Sequence, residues 1–300
     1  MNTYYRIPLA AALLLFASLA SAQHLADSEY KPVVEHPAYA KNGPRVFFDE
    51  GHNNYHTSTN RYRPFVDLLV LDGYRVVINR QPFTKKSLES FKVLVIVNAL
   101  ADDIDEAGAD GPAFTEEELG IVRDWVNGGG ALLLLADQAP FGKSAAGLAK
   151  QFEVEMSGSV VEDPVNSEKR KDYLVFSREN HLLAEHPILQ GRDNGEKVNR
   201  VIAFSGQSLK GAKGSTVFLA LSDKAVESAD ASKSVSAAGR AEGLAIKVGN
   251  GRVVVLGNAD MLSAVLDSPP GNEPIGMNYP GIDNKQLTLN IMHWLSGLIR

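Results

Sequence analysis

The chain has 300 residues, 44% hydrophobic and 22% charged, a balance that supports a sizeable core and excludes disorder as a whole. A formal net charge of −6, with no basic run longer than Lys169-Arg170-Lys171, excludes the footprint of a nucleic-acid binder. Cysteine is absent, which excludes disulfides, thiolate metal ligands, a lipidated cysteine and every cysteine-nucleophile mechanism.

In chain order, Arg6, the apolar stretch Ile7 to Ala20 and the small residues Ala20-Ser21-Ala22 before Gln23 have the three parts of a signal peptide, residues 1–22. The stretch is shorter than the ~20 residues of a bilayer span. The expectation is therefore an exported protein, periplasmic or extracellular, without a transmembrane anchor after cleavage. Residues 23–44 carry prolines 32, 37 and 44 and no periodicity, and are expected to be an extended linker. Residues 45–300 show no repeat and no convincing linker, and are expected to be a single domain with insertions.

Within it, Val46-Phe47-Phe48 reads as a buried strand, and Pro64 to Asp72 as a helix stopped by Gly73. Tyr74 to Ile78 and Val93 to Val97 read as strands. Thr115 to Val126 reads as a helix with a Thr115/Glu118 capping box, ended by Gly128-Gly129-Gly130. Ala131 to Ala136 is a continuous apolar strand, and Ser144 to Phe152 a helix. Apolar strands alternating with helices predict an α/β fold with a doubly wound, mostly parallel sheet. Tyr173 to Phe176, Arg200 to Phe204 and Thr216 to Leu221 are expected to be strands, the last two extending that sheet. Ser222 to Gly243 is expected to be a surface loop. Gly249-Asn250-Gly251 predicts a hairpin between Leu244–Val248 and Arg252–Leu256. Asn284 to Leu298 predicts an amphipathic C-terminal helix packed in the first strand's layer.

Ligands bind open α/β sheets beyond the carboxyl ends of the strands, so the polar residues there are the candidates. They are Asp49, Glu50, His52, Asn53 and His56 after the first strand, Asn98 after the third, Asp137 and Gln138 after the fourth, and Asn258 and Asp260 after the hairpin strand. Asp49, His52 and His56 are also of the types that suit zinc or iron. Three readings of that loop stay open: a metal site, a ligand-facing polar loop, or a turn that Gly51 permits and its Asn, Ser and Thr residues satisfy. Asp102, Asp103, Asp105, Glu106 and Asp110 do not match a calcium-loop register, because Phe114 stands where its glutamate belongs. Gly142-Lys143-Ser144 lacks the leading glycine of a phosphate loop, and no Gly-x-Ser-x-Gly elbow occurs. His181 and His186 read as structural residues of a turn.

Several stretches, "FFDEGHNNYH", "FTEEELGIVRDWVNGGGALLLLAD", "HPILQG" followed by "VIAFSGQSL", and "GRVVVLGNADMLS" before "NKQLTLNIMHWL", resemble the class I glutamine amidotransferase-like superfamily. The resemblance is to its non-catalytic branch, related to gliding-motility-type transporter accessory domains and intraflagellar transport domains. "HPILQG" also looks like the trehalose-utilisation-type proteins of that superfamily. The resemblance covers about Arg45 to Arg300. It implies a flavodoxin-like three-layer sandwich whose relatives bind ligands such as sugars or assist transport systems. Catalytic members carry a cysteine at the elbow where this chain has Ala136-Asp137-Gln138, and a histidine with a glutamate where it has Asn258-Ala259-Asp260. Amidotransferase chemistry is excluded by the missing nucleophile.

The expected function is an exported, non-catalytic binding or accessory domain that takes a small polar ligand, carbohydrate among the candidates, or an envelope protein partner. The alternatives are a metal-dependent hydrolase using Asp49, His52 and His56, with Glu50 or Asp137 as base, and a scaffold that binds a partner through loops such as Ser222 to Gly243.

Overall fold

In the computed structural model the described residues are 25–40, 42–230, 233–267 and 272–300; the expected signal peptide lies outside them. The first core strand, Arg45–Asp49, pairs in parallel with Arg75–Asn79 on one side and Val93–Val97 on the other. Ala131–Leu135 and Gly251–Leu256 continue the parallel run. Successive residues of these strands alternate between two cores. Phe48, Val95, Leu133 and Val254 face Phe65 and Leu69 of helix Arg63–Leu71 and Leu287 and Ile291 of helix Asn284–Ser296. Phe47, Leu94, Leu132 and Val253 face Leu119, Val122 and Leu148 of helices Glu116–Asn127 and Phe141–Lys150. Both faces are covered, which is why these strands are apolar at every position.

The rest of the sheet corrects the expectation of mostly parallel pairing. Beyond Gly251–Leu256 the neighbours are antiparallel: Ala241–Val248, Gln207–Lys210, Glu155–Glu162, Val226–Asp230 and Lys233–Ser236 in order, with Thr216–Ala220 also on Ala241–Val248. The result is an α/β fold around a large mixed sheet, eleven-stranded among the described residues. Two strands therefore lie inside the segment expected to be a loop, Ser222 to Gly243; its Ala, Ser and charge content suits a ribbon with one solvated side. Arg200–Phe204 does not extend the main sheet either. It pairs with Arg170–Ser177 and, through it, Ser167–Glu168 in a separate sheet.

Local signals elsewhere hold. Thr115 and Glu118 form the capping box, the hairpin pairs Val248 with Gly251, and Gly297, left-handed at φ 89°, closes the last helix. Residues 27–40 carry neither helix nor strand, and the segment from residue 25 does not hang free. Leu25–Ala26 pairs with Leu266 and Val265, Ala38 N–H donates to Asp72 Oδ1 at 2.7 Å, and Tyr39 stacks edge-on against Tyr74. No helix among the described residues is long and apolar enough to cross a membrane.

Candidate functional site

The ten candidate residues divide into two groups. The loop after the first strand is held by the first. Asp49 is buried and accepts from Asn79 Nδ2 at 3.0 Å and Gly51 N–H at 3.3 Å. Glu50 accepts from Ser58 N–H at 2.8 Å and pairs with Arg80 at 3.0 Å. Asn53, at φ 45°, donates to the Ala101 carbonyl. His52 lies buried between the rings of Phe83 and Phe114, with Nδ1 2.8 Å from Asp49 and Nε2 2.9 Å from Glu118. Burial alone would lower its pKa, but the two carboxylates raise it. Glu118 is pushed up by burial, yet His52 and the N–H groups of Thr115 and Phe83 hold it down to about 2. This is a carboxylate–imidazole–carboxylate clamp that ties the loop to helix Glu116–Asn127.

The clamp draws His52 away from His56, the other histidine of the metal expectation. Both ring nitrogens of His52 are engaged by carboxylates, whereas His56 turns to a different set of partners. Asp49, His52 and His56 are not assembled as a ligand set, and among the described residues no group of three His, Asp or Glu side chains is arranged to hold an ion.

The second group converges. Asn98 Oδ1 accepts the Asp137 backbone N–H at 2.9 Å, which fixes the amide so that its Nδ2 is the donor to Asp137 Oδ2 at 2.6 Å and to His56 Nδ1 at 2.9 Å. With Nδ1 accepting, the neutral His56 ring carries its hydrogen on Nε2, 3.3 Å from Asp260 Oδ1. Asp137 Oδ1 also takes Asn258 Nδ2 at 3.1 Å and Ala259 N–H at 2.7 Å. Asn258 in turn grips Phe204 through both its N–H, at 2.9 Å, and its carbonyl, at 2.8 Å. The ends of four strands are thereby laced together. Burial and the Asp260 charge raise the pKa of Asp137, against the opposing pull of His56 and its donors.

His56, Asp137, Gln138 and Asp260 open onto a crevice of about 380 Å³; Asn98 and Asn258 support them from below. Tyr55 and Phe141, 5.4 Å apart, form one apolar wall, with Arg61 stacked 4.2 Å from the Tyr55 ring. Tyr173 and Phe204, edge-on at 5.1 Å, form another, rimmed by Arg170, which grips Asp172 at 3.0 and 2.8 Å. Ser205 lies beside them. The sequence reading missed these wall residues. Tyr173 belongs to the separate sheet, whose placement no local pattern reveals; the Phe204-Ser205-Gly206 strand end was visible but lacked the glycine spacing of a known motif.

His186 and His293 lie apart from the crevice and are structural. His186 Nδ1 accepts Ile188 N–H, and burial, with Lys247 and Arg252, lowers its pKa to about 4. His293, buried in the last helix, meets Asp72 at 2.7 Å.

No protein-family model and no curated protein sequence matches the chain. Among solved structures, the chain is similar to the mmIFT52 N-terminal domain at 14% identity and a TM-score of 0.61, over 84% of this chain and 97% of that one. A cytoplasmic protein from Salmonella typhimurium superposes at 13% identity and a TM-score of 0.50, over 86% and 99%. A ThuA-like protein from Parabacteroides merdae reaches 12% identity and 0.46, over 85% and 91%. At these identities what the chain shares with the first two is the fold.

Proposed function

We propose that this chain is an exported, non-catalytic binding domain that holds a small hydroxyl-bearing ligand, a carbohydrate, in the crevice at the carboxyl ends of the parallel strands. The observation that carries the reading is the crevice itself. Carboxylates of Asp137 and Asp260 and the amide of Gln138 supply acceptors for hydroxyl groups, between aromatic walls that suit the C–H faces of a sugar ring. Its volume lies toward the lower end of the roughly 300–1,000 Å³ usual for small-molecule sites. Two features favour binding over chemistry: the elbow residue Asp137 accepts hydrogen bonds on both oxygens, and His56 has both ring nitrogens engaged. The export part of the proposal rests on the sequence of residues 1–22.

We place the chain in the non-catalytic branch of the amidotransferase-like superfamily, with a flavodoxin-like core. The support is the quoted motifs, the likeness to the mmIFT52 domain, and the strand order of the parallel half, second-first-third-fourth-fifth, which is that of flavodoxin-like sheets.

The test is calorimetric titration of residues 23–300 with glucose, galactose, N-acetylglucosamine, maltose and cellobiose, beside Asp260→Ala and Tyr173→Ala variants. Saturable binding by the wild type, weakened about tenfold or more in both variants, is the expected outcome. A wild type that binds none of these sugars sinks the reading.

A further inference from the structure

We infer that Lys247, Arg300 and the Nε2–H of His186 form an anion site for a phosphate group, at the end of the sheet opposite the crevice. The inference stands apart from the carbohydrate reading. A cavity of about 290 Å³ lies there, lined by Thr216, Ala245, Lys247, His186, Trp294 and Arg300. Strand Ala241–Val248 runs antiparallel to Gly251–Leu256, so Lys247 lies near the hairpin turn while Leu256 leads to the crevice at the other end.

The charge at this cavity is unbalanced. The chain as a whole carries a net charge of −6, yet two cations and no carboxylate side chain line the cavity. Lys247 also stands directly opposite Arg252 in the strand pair, a placement of like charges that costs stability. Arg252 spends its Nη1 on the carbonyls of Trp294 and Ile299, and burial, then the Arg300 charge, lower its pKa. Neither Lys247, Arg252 nor Arg300 has an ion-pair partner among the described residues. Glu185, next to His186 in the chain, is taken by Arg178 and Gln190.

Two N–H donors beside these cations are unspent. The structural bond of His186 uses Nδ1 alone, as acceptor from Ile188 N–H, so the neutral ring carries its hydrogen on Nε2. That nitrogen meets no acceptor among the described residues, although His186 is only 9% exposed. Trp294, whose ring meets that of His186 at 5.2 Å, is 1% exposed, and its Nε1–H likewise has no partner among the described residues. Buried donors are ordinarily satisfied, and an anion in the cavity would answer donors and cations together. A phosphate group carries about −1.5 to −2 at pH 7 and at least three acceptor oxygens, which matches two cations with separate N–H donors better than a singly charged carboxylate does. The guanidinium of Arg300 suits its geometry.

The experiment uses isotopically labelled residues 23–300 and follows the indole N–H signals of Trp125 and Trp294, the only tryptophans of the chain. Inorganic phosphate is added at constant ionic strength, and Trp125→Phe assigns the two signals. The expected result is a saturable movement of the Trp294 signal while that of Trp125 stays. The affinity should fall about tenfold or more in Lys247→Gln and in Arg300→Gln and be retained in Lys247→Arg. Both side chains are exposed, so the variants keep the fold, and a Tm for each checks this. Glycerol 1-phosphate in place of phosphate separates the two sources of such a group: binding as tight or tighter assigns the site to a phosphorylated compound, weaker binding to the free ion. If the Trp294 signal moves no more in phosphate than in chloride, or the affinity survives in both Gln variants, the site is refuted.

Discussion

His52 shows how two histidines in one short loop can take unrelated parts. Its imidazole is 6% exposed and bridges Asp49 and Glu118, so His52→Gln leaves two buried carboxylates facing one another. Breaking a buried pair in this way costs about 3 kcal/mol or more. The pH dependence has a definite sign. Because the His52 pKa is raised above 6.5, its contribution is fully present below that value and is lost as pH rises through the folded pKa. Glu118, lowered from 4.5 to about 2, contributes above 4.5 and loses it as pH falls through about 2. The deficit of His52→Gln in urea unfolding should therefore be greatest between about 4.5 and 6.5 and shrink above; a constant deficit would mean that packing against Phe83 and Phe114 dominates. Glu242 carries the sign opposite to that of Glu118. It is fully buried, neither carboxyl oxygen has a partner among the described residues, and burial, then Asp137, pushes its pKa well above 4.5. The folded state then binds more protons than the unfolded one, so stability falls by roughly 1 kcal/mol per pH unit above the unfolded value until the folded pKa is reached. Glu242→Gln should be more stable than wild type at pH 7 and should lose that advantage by pH 4. Equal Tm values at pH 7 would show that the carboxyl has found a partner.

At the scale of elements, what was legible depended on how local the determinant is. The Thr115/Glu118 box, the Gly249-Asn250 turn and the apolar parallel strands each depend on a few adjacent residues, and each was readable. The hairpin turn owes its tightness to Gly251, where a Cβ would lie 2.0 Å from the Val126 carbonyl oxygen and 2.4 Å from that of Gly130. Gly251→Ala must therefore shift the turn away from helix Glu116–Asn127, at a cost of about 1–3 kcal/mol; an unchanged denaturation midpoint would mean that the hairpin floats. The antiparallel half was not legible, because an isolated run such as Arg200–Phe204 specifies a strand but not its neighbour. The same limit applied to the crevice. The strand-end rule located His56, Asn98, Asp137, Gln138, Asn258 and Asp260, whereas Tyr173 was legible as a strand residue but not as a wall of the crevice, to which the separate sheet brings it. Asp49 and His52 obeyed the rule by position and departed from it by contact, since their partners Asn79 and Glu118 lie far along the chain.

The whole molecule couples its N-terminal segment to the crevice. Leu25–Ala26 adds a strand beside Ala264–Leu266, and Asn278 joins Asp27 Oδ2 and the Val265 carbonyl at 2.9 and 3.1 Å. The strand so braced begins two residues after the short 3₁₀ turn Asp260–Leu262 that presents Asp260 to His56. Further along, Val33 and His36 carbonyls accept from Lys285 and Arg192, and Ala38 meets Asp72 beside buried His293. A free linker would predict that deleting residues 25–40 alters neither stability nor binding. The contacts predict otherwise: Tm should fall by several degrees, and the sugar binding proposed for the crevice should weaken as the Asp260 turn loses its brace, although no crevice residue is changed. Deleting residues 25–30 alone separates the two effects, because it removes the strand beside Ala264–Leu266 and leaves the Asp72 contact in place. Weakened binding with a nearly unchanged Tm in that shorter deletion would assign the brace to the crevice; unchanged binding in both deletions would return the segment to the role of a tether.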